Sequence, residues 1–300
     1  MKNQLDYKSL HALACVVKDQ SFDRAAASMF ITQSALSQRV KQLELTIGQP
    51  LIIRSTPPVA TDVGKKLINH YYQVEQLERA LKKDVFPASR EKPLTVHLAT
   101  NADSLATWLI PALSTTLKTN LVELNLLIFD EQYTLEKLKN GEVFGAITLE
   151  EKPIKGCDSS YLGELKYVLV ASKEFKQVHF PQGVNTEALR RAPSAAYDHR
   201  DDMHINFIKK QYGLERGDYP LHSVGSSEAF VNLAKKSVAY CLVAELQIKD
   251  HLRTGELVDL IPEFRLVRKL YWQRWSLLKG VHQSISNAIL EEGHTLLREH

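Results

Sequence analysis

The chain has 300 residues, 44% of them hydrophobic and 24% charged, which are ordinary values for a globular protein and exclude a chain too polar to bury a core. At about 100–200 residues per domain, this length predicts two or three domains. Residues 1–90 contain 13 Lys and Arg against 8 Asp and Glu, whereas the remaining residues contain 25 against 27. A basic segment joined to a nearly neutral body is typical of a nucleic-acid-binding module attached to a second domain.

Neither membrane insertion nor a disulfide framework is indicated. The first residues carry charges before any apolar run, and no stretch approaches the ~18 uncharged apolar residues of a membrane span. The cysteines Cys15, Cys157 and Cys241 lie far apart and form no CxxC pair, so a zinc ribbon is not expected either. We therefore expect a cytoplasmic protein that needs no cofactor and makes no membrane contact.

From Leu5 to about Val85, apolar residues recur at three- and four-residue steps, which predicts helices. Pro57 and Pro58 in the stretch LIIRSTPPVAT cannot continue a helix and favour a turn, which suits a two-stranded wing. The predicted short helices that precede this wing are Tyr7–Asp19, Phe22–Met29 and Gln33–Thr46.

A longer helix is predicted from Asp62 to about Lys83. Because an isolated helix cannot bury a continuous apolar stripe, we expect this one to pack against a partner chain. Packing on its own domain is the alternative. The stretch FPASREKP that follows has the prolines and charges of a linker. The stripe consists of Val63, Leu67, Tyr71, Val74, Leu77 and Leu81.

After the linker, the pattern changes to alternating strands and helices. Strands separated by helices of about ten to fifteen residues predict parallel sheets with crossover connections, that is, an α/β domain. Strands are predicted at residues 94–99, 122–129, 143–149, 167–172, 237–243, 257–261 and 270–278. Helices are predicted from about Asp103, near Tyr133–Asn140, Met203–Tyr212 and Ser227–Lys236, and from Val281 to Arg298.

The third short helix has a polar face opposite Leu36, Val40 and Leu43. Thr32 suits its N-cap, and the alanines at 25–27 allow the preceding helix to approach closely. Gln can pair with adenine, Ser tolerates several bases, and Lys or Arg neutralises phosphate, so we expect this face to bind double-stranded DNA. A merely solvated helix face is the alternative. The candidate DNA-binding residues are Thr32, Gln33, Ser34, Ser37, Gln38, Arg39, Lys41 and Arg54.

The run AAASMFITQSALSQRVKQLELTIGQPLIIR, followed by TDVGKKL, resembles the signature of the LysR-type transcription regulators. The resemblance implies an N-terminal all-α winged helix-turn-helix, a long linker helix and a C-terminal α/β sensor of two Rossmann-like subdomains, similar to periplasmic binding proteins. It also implies homodimers joined through linker helices, often assembled as tetramers, with RNA polymerase as a further partner.

The same resemblance implies the domain boundaries. The winged helix-turn-helix would occupy residues 1–61, the linker helix and hinge 62–91, and the effector-binding domain 92–300. Within that last domain, subdomain I would comprise residues 92–162 and 268–300, and subdomain II residues 163–267.

Open parallel sheets bind ligands beyond the carboxyl ends of their strands, and two such units facing each other form a cleft. Helix N-termini near Ser104 and Ser227 offer N–H groups to a carboxylate. Aspartates and a glutamate at the strand ends offer negative charge to a cationic group, so the cleft suits a basic amino acid. The alternative for each carboxylate is a cap or a surface charge. The candidate effector-binding residues are Asn101, Asp103, Ser104, Asp130, Glu131, Thr148, Tyr197, Asp198 and Ser226.

Four stretches of the region after the linker resemble the LysR-type subgroup that controls export of lysine or arginine in response to those amino acids. They are TNADSLATWLIPAL, GEVFGAIT, YDHRDDMH and HSVGSSEAFVNLA. This resemblance implies lysine, arginine or both as the effector, and genes of basic amino-acid export or metabolism as targets. A LysR-type regulator with a different effector is the alternative.

Other classes of protein are less well supported. The histidines and carboxylates between Asp198 and His204 could ligate a metal, but they lack the helical i,i+4 pair of a zinc hydrolase and can cap the next helix, so no metal is expected. No nucleophile elbow, P-loop or dinucleotide fingerprint indicates an enzyme. A solute-binding transport protein would need an export signal. A nucleoid-type DNA-binding protein would ignore both DNA sequence and metabolites.

Overall fold

The computed structural model describes residues 5–85, 93–129, 131–197 and 202–298. Their buried apolar side chains form one core in the N-terminal module and a larger core, with a satellite cluster, in the second half of the chain. Within these ranges, no helix is both long enough and apolar enough to traverse a bilayer.

Three short helices and a wing make up the N-terminal module. Asp6, Ser21 and Thr32 cap the helices, because each side chain accepts a hydrogen bond from a backbone N–H two or three residues further on. The predicted winged helix-turn-helix is confirmed, with helix ends within one residue of those expected. The elements are α1 (Tyr7–Lys18), α2 (Phe22–Ser28), α3 (Gln33–Ile47), β1 (Ile52–Ile53) and β2 (Val59–Ala60), the two strands being antiparallel.

The long helix α4 (Asp62–Val85) divides its apolar stripe between two environments. Near its start, Val63, Leu67 and Tyr71 pack against the core of the winged helix-turn-helix. Further along, Leu81 is 61% exposed. Packing on its own domain, the alternative, therefore holds for the first half of the stripe, and packing of the second half against a partner chain stays a prediction.

The chain after α4 is built on one sheet. Its strands are β3 (Leu94–Thr100), β4 (Val122–Ile128), β5 (Gly145–Thr148), β6 (Cys157–Ser172), β7 (Ser194–Ala196), β8 (Leu221–Ser223), β9 (Tyr240–Ala244), β10 (Leu257–Asp259) and β11 (Leu266–Trp275). Its helices are α5 (Ala102–Ser104), α6 (Ile110–Thr119), α7 (Glu131–Lys139), α8 (Lys173–His179), α9 (Thr186–Leu189), α10 (Asp202–Tyr212), α11 (Ser227–Lys235), α12 (Glu245–Thr254) and α13 (Gly280–Arg298).

The strand order explains how two α/β units share this sheet. Among the described residues the order is β4-β3-β5-β11-β6-β9-β7-β8, with β10 paired to β6. Strands β4, β3 and β5 are parallel, as are β9, β7 and β8. The long strands β6 and β11 lie antiparallel between the two groups and join them. The predicted α/β sensor with two parallel units is confirmed, whereas its residue boundaries stay predictions.

The connecting strands are the main difference from the predicted elements. β6 begins at Cys157 rather than at residue 167, and β11 runs over Leu266–Trp275 rather than 270–278. The first half of β6, CDSSYLGELK, mixes polar and apolar residues because it is only partly buried, so its sequence does not predict a strand. The helices α8, α9 and α12 and the short strands β7 and β8 were not predicted either, because short elements carry little periodicity.

The helix predicted from Asp103 contains an irregular turn. Helical residues run from α5 through a π-helical turn at Leu105–Leu109 into α6, where Pro111 stands in the first turn. Proline has no N–H to donate to a carbonyl four residues earlier, so the wider turn is accommodated directly before it. The turn lies next to Asp103 and Ser104, at the N-terminal end of this helix.

Candidate nucleic-acid interface and ligand cleft

Helix α3 presents the predicted polar face to solvent. Gln33, Ser34, Gln38 and Lys41 are exposed, and Ser37 and Arg39 are half-buried. On the opposite face of the helix, Leu36, Val40 and Leu43 are buried in the core. The Thr32 hydroxyl accepts a hydrogen bond from the Ala35 N–H at 3.2 Å and lies 3.1 Å from the Ser34 hydroxyl. The first turn of the helix is therefore held in place, with its polar side chains accessible.

Glu44 fixes the wing to this helix, a role that the sequence pattern does not predict. Its Oε1 accepts hydrogen bonds from the N–H groups of Leu51 at 2.8 Å and Ile52 at 3.3 Å. Arg54 follows β1, and its guanidinium lies 5.5 Å from the centre of the Phe22 ring. Arg54 is therefore oriented by α2 and the wing together, which suits a contact with the phosphate backbone.

In the sensor, Asp103 joins the two parts of the sheet. Its Oδ2 accepts a hydrogen bond from the Tyr167 hydroxyl of β6 at 2.7 Å, and its Oδ1 accepts one from the Ser227 hydroxyl of α11 at 2.6 Å. Hydrogen bonds to an ionised acceptor are about twice as strong as neutral ones. A carboxylate from the first α/β unit is thus held by hydroxyl groups from the crossover strand and the second unit.

Gln247 extends this cluster. Its side-chain oxygen lies 2.9 Å from the Ser227 hydroxyl oxygen. The Ser227 hydroxyl has one proton, and it donates this proton to the Asp103 carboxylate, which is the closer acceptor. Because a hydroxyl has only one proton to donate, the consistent arrangement turns the Gln247 NH₂ group toward Ser227. Hydrogen bonds then run from Gln247 through Ser227 to Asp103.

Several predicted effector-binding residues have structural roles, and Asn101 and Thr148 among them are buried. Asn101 Oδ1 accepts a hydrogen bond from the Ser104 N–H, Thr148 Oγ1 accepts one from the Glu150 N–H, and Ser226 caps α11. The Ser104 hydroxyl is buried and has no hydrogen-bond partner among the described residues. These residues shape the ends of β3, β5 and α11, and their contact with an effector stays a prediction.

The other predicted effector-binding residues contribute less to the described site. Tyr197 is half-buried and packs against the satellite core of the second α/β unit. Asp130, Asp198 and the side chain of Glu131 lie outside the described residues. Tyr167, Ser227 and Gln247 were missing from the predicted set, although Tyr167 opens the predicted strand YVLVAS and Ser227 opens a predicted helix.

No group of three His, Cys, Asp or Glu side chains suited to a metal occurs in the part of the chain that the structure describes. That part excludes residues 198–201, most of the acidic and histidine-rich segment. At its end, His204 is buried beside the rings of Tyr219 and Tyr240, and burial lowers its pKa to about 4. His204 is therefore a neutral core residue at pH 7.

Comparison with known proteins agrees with this architecture. Residues 7–65 match the family described as "Bacterial regulatory helix-turn-helix protein, lysR family", and residues 90–276 match the "LysR substrate binding domain". The "HTH-type transcriptional regulator ArgP" of Aeromonas salmonicida is 49% identical over 98% of both chains.

Two solved structures are similar to the chain over nearly its whole length. ArgP from Mycobacterium tuberculosis superposes with a TM-score of 0.87 at 32% identity, covering 99% of this chain and 100% of that one. Full-length LysG from Corynebacterium glutamicum with bound effector Arg superposes with a TM-score of 0.83 at 27% identity, covering 98% and 100%. Both matches include the N-terminal module and the sensor.

Proposed function

The chain belongs to the LysR family of bacterial helix-turn-helix regulators, and we propose that lysine or arginine is its effector, bound beside Asp103 in the cleft between the two α/β units. The chain is a DNA-binding transcription regulator whose activity an effector modulates, and it is not an enzyme. The observation that carries the proposal is the Asp103 carboxylate, held between the two units by Tyr167 and Ser227.

The chemistry of the cleft supports a basic amino acid. A carboxylate can accept hydrogen bonds from an ammonium or guanidinium group, and the N-terminal ends of the helices that begin after Asn101 and Ser226 offer backbone N–H groups to the carboxylate of the ligand. The relative with 49% identity is named ArgP, and the LysG structure contains arginine. The proposed targets are genes of basic amino-acid export or metabolism.

A thermal-shift titration with the twenty amino acids tests the effector. A ligand at about 100 times its dissociation constant adds about 2.7 kcal/mol to the stability of the domain that binds it. We expect the sensor transition to rise with lysine, arginine or both, and not with the other amino acids. A rise only with an acidic or apolar amino acid would assign a different effector, and no rise with any of them would refute the proposal.

For DNA, we propose that α3 enters the major groove and that Arg54 contacts phosphate. Gln38→Ala is expected to reduce discrimination at one base pair by about 1–3 kcal/mol, because it removes a side chain able to read a base edge. Arg54→Ala is expected to weaken binding to all DNA alike and to lower the salt slope by about 1.

Both DNA-binding variants are compared with wild type on a duplex that the wild-type protein selects from a random-sequence pool, with binding measured at several salt concentrations. Each variant serves as the other's control, because both remove one exposed polar side chain of the same module. If both variants lost only sequence discrimination, or both lost affinity for all DNA alike, this assignment would be contradicted. Binding without sequence preference by the wild type would instead indicate a nucleoid-type protein.

The remaining assignments are proposals of the same kind. We propose a working form that is a homodimer or homotetramer, a contact with RNA polymerase at target promoters, and a place of action on DNA in the cytoplasm. The proposed modules are those of the sequence analysis: residues 1–61, 62–91 and 92–300. The exposed end of α4, including Leu81, supports a contact between linker helices.

A further inference from the structure

Helix α4 touches the sensor of its own chain as well as the winged helix-turn-helix. Tyr72 is partly buried and packs against both the N-terminal core and the main core of the sensor. It lies one helical turn before Gln76. A single aromatic side chain therefore belongs to the packing of both modules.

Gln76 makes a direct hydrogen bond between the modules. It is 5% exposed, and its Nε2 donates to the carbonyl oxygen of Leu277 at 2.7 Å, across 201 positions of sequence. Leu277 lies two residues after the end of β11. A buried side-chain amide that donates to a strand-end carbonyl fixes the direction of the helix at that point.

Asn69, about one helical turn before Tyr72, adds a steric contact between the modules. Gly141 lies so close to it that a Cβ on the glycine would stand 2.7 Å from the Asn69 Cβ. Real Cβ atoms do not approach this closely, so a side chain at position 141 must displace α4. Beside these contacts, the modules are separated by a cleft of about 750 Å³, lined by His11 and Pro57 on one side and by His97 and Asn125 on the other.

The sensor strand that reaches Gln76 begins at the proposed effector cleft. In the register of β11 against β6, Leu266 is paired with Tyr167, whose hydroxyl donates to Asp103. From there β11 runs to Trp275, so one strand connects the cleft with the carbonyl that Gln76 binds. A displacement of β11 would move the Leu277 carbonyl that Gln76 binds, and with it helix α4.

We propose that Tyr72 and Gln76 are positioning residues that transmit effector occupancy to the DNA-binding module of the same chain, through β11. The proposal rests on the proposed function, because it requires an effector in the cleft. An effector changes DNA affinity only if it binds two arrangements of the protein with different affinity. The contact between α4 and β11 makes the position of the winged helix-turn-helix depend on the arrangement of the sensor.

Two substitutions test this coupling in the full chain. Gln76→Met keeps the length of the side chain but removes the donor to Leu277. In Gly141→Ala, the added methyl group would clash with Asn69. Gly213→Ala is the matched control for the second variant, because Gly213 has a similar left-handed conformation, with φ of 68° against 73° for Gly141, and no heavy atom within 4 Å of an added Cβ.

The measured quantity is the ratio of the DNA dissociation constants without and with saturating arginine or lysine, on the selected duplex. Allosteric coupling typically changes affinity about 5- to 150-fold. We expect the ratio to fall to within about twofold of 1 in Gln76→Met and Gly141→Ala, and to stay at the wild-type value in Gly213→Ala. Calorimetry without DNA should show that the variants still bind the amino acid.

Variants that bind the amino acid and keep the wild-type ratio would overturn the coupling while leaving the effector assignment intact. A wild-type ratio of 1 despite amino-acid binding would overturn it as well. A wild-type protein that binds neither amino acid would instead refute the proposed function, and the coupling with it.

Discussion

Asp103→Asn is expected to lower the affinity for lysine or arginine by roughly 10- to 100-fold. The substitution keeps the shape of the side chain and one acceptor oxygen but removes the negative charge. A hydrogen bond to a charged group contributes about 1.5–3 kcal/mol, and 1.4 kcal/mol corresponds to a tenfold change in affinity. Calorimetric titration of the purified protein measures the loss directly.

Asp158→Asn is the control for this variant. Asp158 also accepts a hydrogen bond from a serine hydroxyl, that of Ser276 at 2.7 Å, but it lies at the start of β6, nine residues before Tyr167. Its replacement should leave affinity for the amino acid within about twofold of wild type. Unaltered affinity in Asp103→Asn would remove Asp103 from the effector site, whereas equal losses in both variants would point to a general effect on the sensor.

Gly145→Ala is expected to destabilise the sensor by about 3 kcal/mol, at the upper end of typical overpacking costs. A Cβ at Gly145 would stand 2.1 Å from Cη2 of Trp272. The indole cannot retreat easily, because it is fully buried, its Nε1 donates to the Ser286 hydroxyl at 2.9 Å, and the Phe144 ring packs edge-on against it. For a domain of this size the expected fall in Tm is roughly 6–12 °C.

Gly225→Ala provides the comparison for this second variant. No heavy atom lies within 4 Å of a Cβ added at Gly225, and its backbone is outside the left-handed region. Alanine there should be neutral or slightly stabilising, because it restricts the unfolded chain. The Tm of Gly145→Ala in thermal unfolding should therefore lie clearly below that of Gly225→Ala. A Tm for Gly145→Ala equal to that of wild type would contradict the close packing of β5 against Trp272.

The winged helix-turn-helix could be predicted from sequence because its signals are local. The cap at Thr32, the buried triplet Leu36, Val40 and Leu43, and the polar face between them lie within a dozen residues of one helix. Periodicity reports such relations directly. Glu44 was missed because its partners Leu51 and Ile52 lie at the start of a strand too short to carry a pattern.

The cleft could be predicted only in part, because its contacts join distant positions. Asp103 was found as an acidic residue after a strand, but its partners Tyr167 and Ser227 lie 64 and 124 positions away. Their meeting depends on the order of strands in the sheet, which one sequence does not reveal. Asn101 and Thr148 were included because polar residues follow strands, and such residues also serve as caps and turns.

The strand order also determines when each part of the chain is complete during synthesis. Among the described residues, the N-terminal core draws on none beyond Tyr72, whereas β5 obtains its antiparallel neighbour only when β11, ending at Trp275, has left the ribosome. Domains that emerge first generally fold first. A chain released between these two points carries a finished DNA-binding module and an unpaired sensor sheet. Premature termination between these two points would therefore leave a sensor sheet without the strand that stands between β5 and β6.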